Sequence, residues 1–200
     1  MKSIKTLDQS FYARDALEVA RDLLGKHLRR GAVVLRITEV EAYRWPDDSA
    51  NHCRAGLTRR NAPMWGPAGH AYVYLCYGMH HMFNVVTNSE GEGAAVLIRA
   101  CEPVKGLQRI RARRRNIEGP ALLTGPGKVA AALGLDSSFS GHPLFAPGGL
   151  ELLDAPSVEP ILCGPRIGIG FARAKDQRAP WRLAVADSDW ISYRKLLRHT

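Results

Sequence analysis

No apolar run in this 200-residue chain approaches the ~18 residues that a membrane-spanning helix needs, so no membrane partner is expected. An apolar segment is also missing behind Lys2 and Lys5, which argues against a secretory leader and for a cytoplasmic location. Cysteine is sparse. Cys53, Cys76, Cys101 and Cys163 form no C-x-x-C pair, which fits neither a zinc site nor a disulfide framework and leaves free thiols. No metal and no cofactor are therefore expected. Acidic charge is in deficit, with 19 Asp+Glu against 28 Lys+Arg and a net charge of +9. That balance points to a polyanionic partner, a nucleic acid first. Hydrophobic residues make up 46% of the chain, enough for a core and too many for a disordered segment.

Repeats and linkers are absent too, so residues 1–200 are taken as one α+β domain on a curved antiparallel sheet, with a protruding β-hairpin and surrounding helices. Asp15 and Glu18 have the spacing of a capping box, and Ala16, Val19, Ala20, Leu23 and Leu24 follow at helical intervals before Gly25. The β-branched run Val33 to Tyr43 predicts a strand, with Leu35, Ile37, Glu39, Glu41 and Tyr43 on one face. Trp45 to Gly69 reads as a long loop. Ala71–Tyr77 and Met82–Val86 read as strands of a hairpin turning at Gly78-Met79-His80-His81, with another strand at Ala94–Ala100. Helices are expected over Val104–Asn116 and from Pro126 to Leu133, with Gly125 and Gly134 as punctuation. Arg166–Phe171 and Trp181–Ala186 suggest two more strands.

Glu41 is the first candidate for chemistry, because an unpaired carboxylate is costly in an apolar strand. Glu39 shares its face as a rival, and two like charges at that spacing shift each other's protonation. Tyr72 and Tyr74 project one way, whereas Tyr77 falls near the hairpin tip, where an aromatic ring can wedge between base pairs. Composition alone would also allow three tyrosines packed in a sheet. The arginines at 109, 111, 113, 114 and 115 fit either phosphate contacts or a solvated helix face.

Several long motifs together resemble one family. Glu39-Val40-Glu41-Ala42-Tyr43, Pro46-Asp47-Asp48 and His52 are similar to the active-site strand and loop of the alkyladenine (3-methyladenine) DNA glycosylases. Tyr72-Val73-Tyr74-Leu75-Cys76-Tyr77-Gly78-Met79 with Asn84 resembles their DNA-probing hairpin, and Gly91 to Pro103 their next strand. Leu123-Thr124-Gly125-Pro126-Gly127-Lys128 and Pro165-Arg166-Ile167-Gly168-Ile169-Gly170 follow in family order. The resemblance implies that Glu41 is the general base and that Arg99, with a backbone carbonyl near Ile167, holds the attacking water. It implies that Tyr43, His52, Tyr74 and Asn84 form the base pocket and that Tyr77 fills the hole left by the flipped nucleotide. Its expected partner is double-stranded DNA containing damaged purines, bound by a monomer. His80-His81 stands where aromatics are usual in the family, and the segment between Gly106 and Leu123 is short.

The implied chemistry suits these residues. An alkylated purine is already a good leaving group, so one carboxylate, a held water and a dry aromatic pocket suffice. Lysine, which a lyase needs for a Schiff base, occupies no motif assignable to that role, so the product is expected to be an intact abasic site. Two alternatives stand. Leu123–Lys128 superficially resembles the Gly-rich turn of the all-helical helix-hairpin-helix glycosylases. Basic charge interleaved with tyrosine would also serve a non-catalytic nucleic-acid-binding protein.

Overall fold

A computed structural model describes residues 5–199; the Met1–Ile4 part of the leader argument lies outside the described residues. Two short helices, α1 (Gln9–Tyr12) and α2 (Ala16–Leu23), come first. The Asp15 side chain caps α2 by accepting from the Leu17 N–H at 2.9 Å. β1 (His27–Arg30) and β2 (Val33–Tyr43) follow, then β3 (Ala71–Cys76), β4 (His80–Val86) and β5 (Ala95–Lys105). α3 (Leu107–Arg113) and α4 (Pro126–Leu133) precede β6 (Leu150–Leu153) and β7 (Ile161–Gly164). α5 (Ala174–Arg178), β8 (Arg182–Val185) and the two-residue β9 (Arg198–His199) close the described chain.

The strands make one open sheet in the order β3-β4-β5-β2-β8-β7-β9, with β1 and β6 joined to it through β2, and every pairing is antiparallel. The α+β expectation holds. β2 is the axis: β5 runs along one of its edges, and β1 and then β8 share the other. Sheet and helices enclose a core that includes Leu23, Leu35, Val40, Phe83, Ile98, Ile110 and Leu133. No helix among the described residues is long and apolar enough to cross a membrane.

One irregularity shapes the site. The β2–β5 register steps from Ile37↔Cys101 to Glu39↔Ala100 to Val40↔Ile98, passing over Thr38 and Arg99. Such bulges bend a strand and re-aim its side chains. The core-facing set accordingly moves from Leu35 and Ile37 to Val40 and Ala42 on β2, and from Cys101 to Ile98 and Val96 on β5. Leu35 and Ile37 thus do not share the face of Glu39, Glu41 and Tyr43, as strict alternation predicts.

Four other expectations need correction. Arg166–Phe171 is a loop, because its backbone serves the cavity described below rather than a ladder. The strand begun at Ala95 continues to Lys105, since Glu102 and Pro103 still pair with Arg36 and Leu35 of β2. The helix expected from Val104 consequently spans only Leu107–Arg113. The hairpin turn also falls earlier: Tyr77 and Gly78 both take positive φ, 51° and 69°, and the Met79 N–H donates to the Cys76 carbonyl at 3.1 Å. Two successive positive φ values are what a tight primed turn requires, and for tyrosine that conformation is rare.

Candidate active site

A cavity of about 400 Å³ opens between the hairpin, β5, the loop after β2 and the loop after β7. Tyr43, His52, Tyr74, Asn84 and Arg99 all line it, as does Tyr77 from the hairpin tip, where its side chain is 86% exposed. Glu41 lies beneath this wall, 0% exposed, with three wall residues holding it. The Ile167 N–H donates to Oε1 at 2.8 Å, Arg99 Nη1 is 3.2 Å from the same oxygen, and the Tyr43 hydroxyl donates to Oε2 at 2.9 Å. A carboxylate offers about four lone-pair sites, so these three donors leave one for a further proton. The contact seen from Ile167 is its N–H.

The aromatic walls are held in order. Tyr72 and Tyr74 project from one face of β3 with ring centroids 5.3 Å apart. The His52 ring meets Tyr74 edge-on at 4.6 Å, and its Nδ1 lies 3.0 Å from the Tyr72 hydroxyl. His52 is placed by Asn51, whose side chain accepts from the Cys53 N–H and donates to the carbonyls of Arg44 and Gly93. Gly93 allows that approach, since a Cβ there would sit 2.5 Å from Cys53 Sγ. Asn84 donates to the Tyr72 carbonyl at 3.1 Å across the β3–β4 pair. Leu97 and Ile169 supply apolar lining.

The electrostatics keep the aromatic groups neutral and the arginine charged. Burial, and then Glu41, hold the Tyr43 hydroxyl well above the ordinary tyrosine range, so it remains a donor. Burial pushes Tyr72 up to about 12 and Tyr74 in the same direction. For Arg99 burial opposes the charge, yet Glu41 and Glu39 outweigh it and raise its pKa. His52 is pushed down to about 4 by burial, with the Arg60 and Arg54 charges adding to it. Its imidazole is therefore neutral near pH 7. Because its folded value lies below the unfolded value of about 6.5, its contribution to stability is complete above that pH and is lost as pH falls toward 4. NMR of the His52 ring should show a titration midpoint near 4; a midpoint near 6.5 would contradict the burial seen here.

Sequence reasoning missed the clamp behind the site. Arg166, fully buried, pairs in bidentate fashion with the equally buried Asp48 at 2.5 and 2.7 Å, and it donates to the Ala42 carbonyl at 2.9 Å. Its guanidinium lies 4.6 Å from the Tyr43 ring centroid and 4.9 Å from that of Trp181. The clamp joins the loop after β2 to the loop that delivers the Ile167 N–H. Asp176 of α5 reinforces it by accepting from the backbone and hydroxyl of Ser49. A lone arginine between Pro165 and the apolar Ile167-Gly168-Ile169 was the available signal, since such a charge needs a buried partner.

The rival carboxylate is bonded mainly away from the cavity. Glu39 accepts from Arg182, from the Ser192 backbone and from the Ser192 hydroxyl. In the arginine-rich segment, Arg111 pairs with Glu118, Arg113 donates to the Ala132 carbonyl and Arg114 to that of Leu122. At least three of its five arginines thus bond within the protein.

A buried carboxylate with one open lone pair, set under aromatic walls on a strongly basic chain, is the equipment of a hydrolase acting on nucleic-acid bases. The sequence profile of the family described as Methylpurine-DNA glycosylase (MPG) matches residues 10–189. The chain is 62% identical over 192 residues to a Nitrosococcus oceani protein provisionally named a 3-methyladenine DNA glycosylase, covering 96% of each. It is 57% identical over 194 residues to the DNA-3-methyladenine glycosylase of Arabidopsis thaliana, covering 96% of this chain and 76% of the relative. This chain belongs to the methylpurine-DNA glycosylase family and is a DNA glycosylase of the 3-methyladenine type, a hydrolase of N-glycosyl bonds. The sheet and this membership set aside the helix-hairpin-helix alternative and the non-catalytic one.

Proposed function

We propose that the enzyme extrudes an alkylated purine, 3-methyladenine or 7-methylguanine, from duplex DNA into the aromatic cavity and hydrolyses its bond to the sugar. The observation that carries this reading is the position of Glu41 directly behind the cavity wall, held by Tyr43, Arg99 and Ile167. Glu41 takes a proton from water as the water oxygen bonds to C1′, and the C1′–N bond breaks with its electron pair passing to the purine. A purine that entered as a cation leaves neutral. Arg99 fixes the carboxylate, and the tyrosine faces favour an electron-poor base. No lysine among the described residues lines the cavity, in keeping with water as the nucleophile and an intact abasic site as product. One lesion needs one cavity, so the chain works as a monomer.

Neutral lesions such as hypoxanthine make a second substrate class. An uncharged His52 beside the Tyr72 hydroxyl favours it, because a neutral imidazole both donates and accepts hydrogen bonds. Extrusion is read by 2-aminopurine fluorescence beside the lesion, which should brighten when the enzyme binds; unchanged fluorescence on a saturated duplex argues against it. Tyr77→Ala should weaken binding to lesion DNA by about 1–3 kcal/mol, the worth of one stacked aromatic. Equal affinity of variant and wild type would remove Tyr77 from the interface.

A further inference from the structure

We propose that Glu39 is a positioning residue that acts through Arg99 and tunes the strength of Glu41 as a base. The inference rests on the reading of Glu41 as the base. Arg99 lies between the two carboxylates, with Nε 3.2 Å from Glu39 Oε1 and Nη1 3.2 Å from Glu41 Oε1. Its side chain cannot turn fully to Glu41 while Glu39 holds the other edge of the guanidinium. Glu39 is itself fixed by the neighbouring strand β8 and the segment that follows it. Arg182 Nη1 donates to its Oε1 at 2.9 Å, the Ser192 N–H to Oε2 at 2.7 Å and the Ser192 hydroxyl to Oε1 at 2.9 Å. Arg182 is fixed in turn by the carbonyls of Pro165 and Ser192. The bulge that passes over Thr38 and Arg99 puts all three side chains on one side of the sheet.

The charges decide what this arrangement does. Arg182 and Arg99 balance Glu39 and Glu41, so the buried set is neutral and Arg99 is shared. Without the Glu39 charge, the set would carry one net positive charge behind the place where positive charge develops on the sugar. Arg99 would then serve Glu41 alone and make it a weaker base. Both effects slow the reaction. Glu41 is faced by Tyr43 from its own strand, Arg99 from β5, Tyr74 from β3, and Arg166 and the Ile167 N–H from the loop after β7. Glu39 is faced by Arg99, by Arg182 from β8 and by Ser192 near the C-terminal end. The tyrosines are held neutral and Arg99 and Arg166 charged, while His52, pushed down to about 4 on the same cavity wall, contacts Tyr72 and Tyr74 rather than either glutamate.

The test is the pH dependence of kcat on methylated duplex DNA for wild type, Glu39→Gln and Ser192→Ala, with DNA binding measured on each. Glu39→Gln should bind DNA as wild type does, lose at least about tenfold in kcat, and move the acidic limb about one pH unit lower. A folded Glu39→Gln with the wild-type rate overturns the proposal. So does a slower variant whose limb stays in place, the result of a purely structural role. If Glu39→Gln does not fold, Ser192→Ala carries the test, since it removes the hydroxyl that Glu39 and Arg99 share without stranding a charge. With its charge kept and one donor lost, Glu39 draws harder on Arg99, so a limb displaced to higher pH supports the proposal, and an unmoved limb overturns it. Glu41→Gln separates the two readings: if it keeps the wild-type rate, the base assignment fails, whereas its loss beside an unaffected Glu39→Gln removes only the positioning role.

Discussion

Replacing Glu41 by glutamine should slow base release by roughly 10²–10⁴-fold while leaving lesion binding intact. The amide keeps the shape of the carboxylate and can still accept from the Ile167 N–H and Arg99 through its oxygen. It cannot take a proton from water, and its NH₂ group would face the Tyr43 hydroxyl, which now donates to Oε2. The charge that would offset the cationic sugar is also lost, which places the effect toward the upper end of the range. Single-turnover kinetics on saturated enzyme read the chemical step directly. A variant within threefold of wild type would show that Glu41 is not the base.

The largest stability effect is expected at the clamp. Arg166→Met should destabilise the fold by about 3–5 kcal/mol, because it strands the Asp48 carboxylate where no solvent reaches it. Most of that cost is an uncompensated charge rather than lost attraction, so Arg166→Met combined with Asp48→Leu should recover part of the loss. Urea unfolding measures both. The single variant should also lose activity, since Arg166 anchors the loop that presents the Ile167 N–H to Glu41. A loss below 1 kcal/mol would mean that the pair is open to water in solution.

How far the sequence discloses this molecule depends on the range of the interactions involved. β2 was legible to the residue because Val33 to Tyr43 is bounded by Gly31 and Pro46 and rich in β-branched side chains, and α4 because Pro126 and Gly134 punctuate it. The cavity residues came from a resemblance spread over motifs in order, and the fold gathers Tyr43, His52, Tyr74, Tyr77, Asn84 and Arg99 around one space. What stayed hidden is non-local or breaks a period. The double bulge at Thr38 and Arg99 leaves no mark in an alternating pattern, yet it turns Glu39 and Glu41 away from the face of Leu35 and Ile37. Asp48 and Arg166 lie 118 residues apart, and Glu39 and Ser192 153 apart, so neither pairing has a local signature. The loop at Arg166–Phe171 has the composition of a strand, but its backbone and arginine are taken up by Glu41 and Asp48. Tertiary bonding overrode propensity there.

The central claim is that this cavity takes a damaged purine and that water, activated at Glu41, releases it. The most direct measurement is single-turnover release from duplex DNA carrying one methylated purine, without added metal, with the product strand analysed before and after alkali. The account predicts free methylated purine in step with an alkali-labile abasic site, on a strand uncleaved until alkali is added. Tight binding with no purine released, or strand scission without alkali, would contradict it.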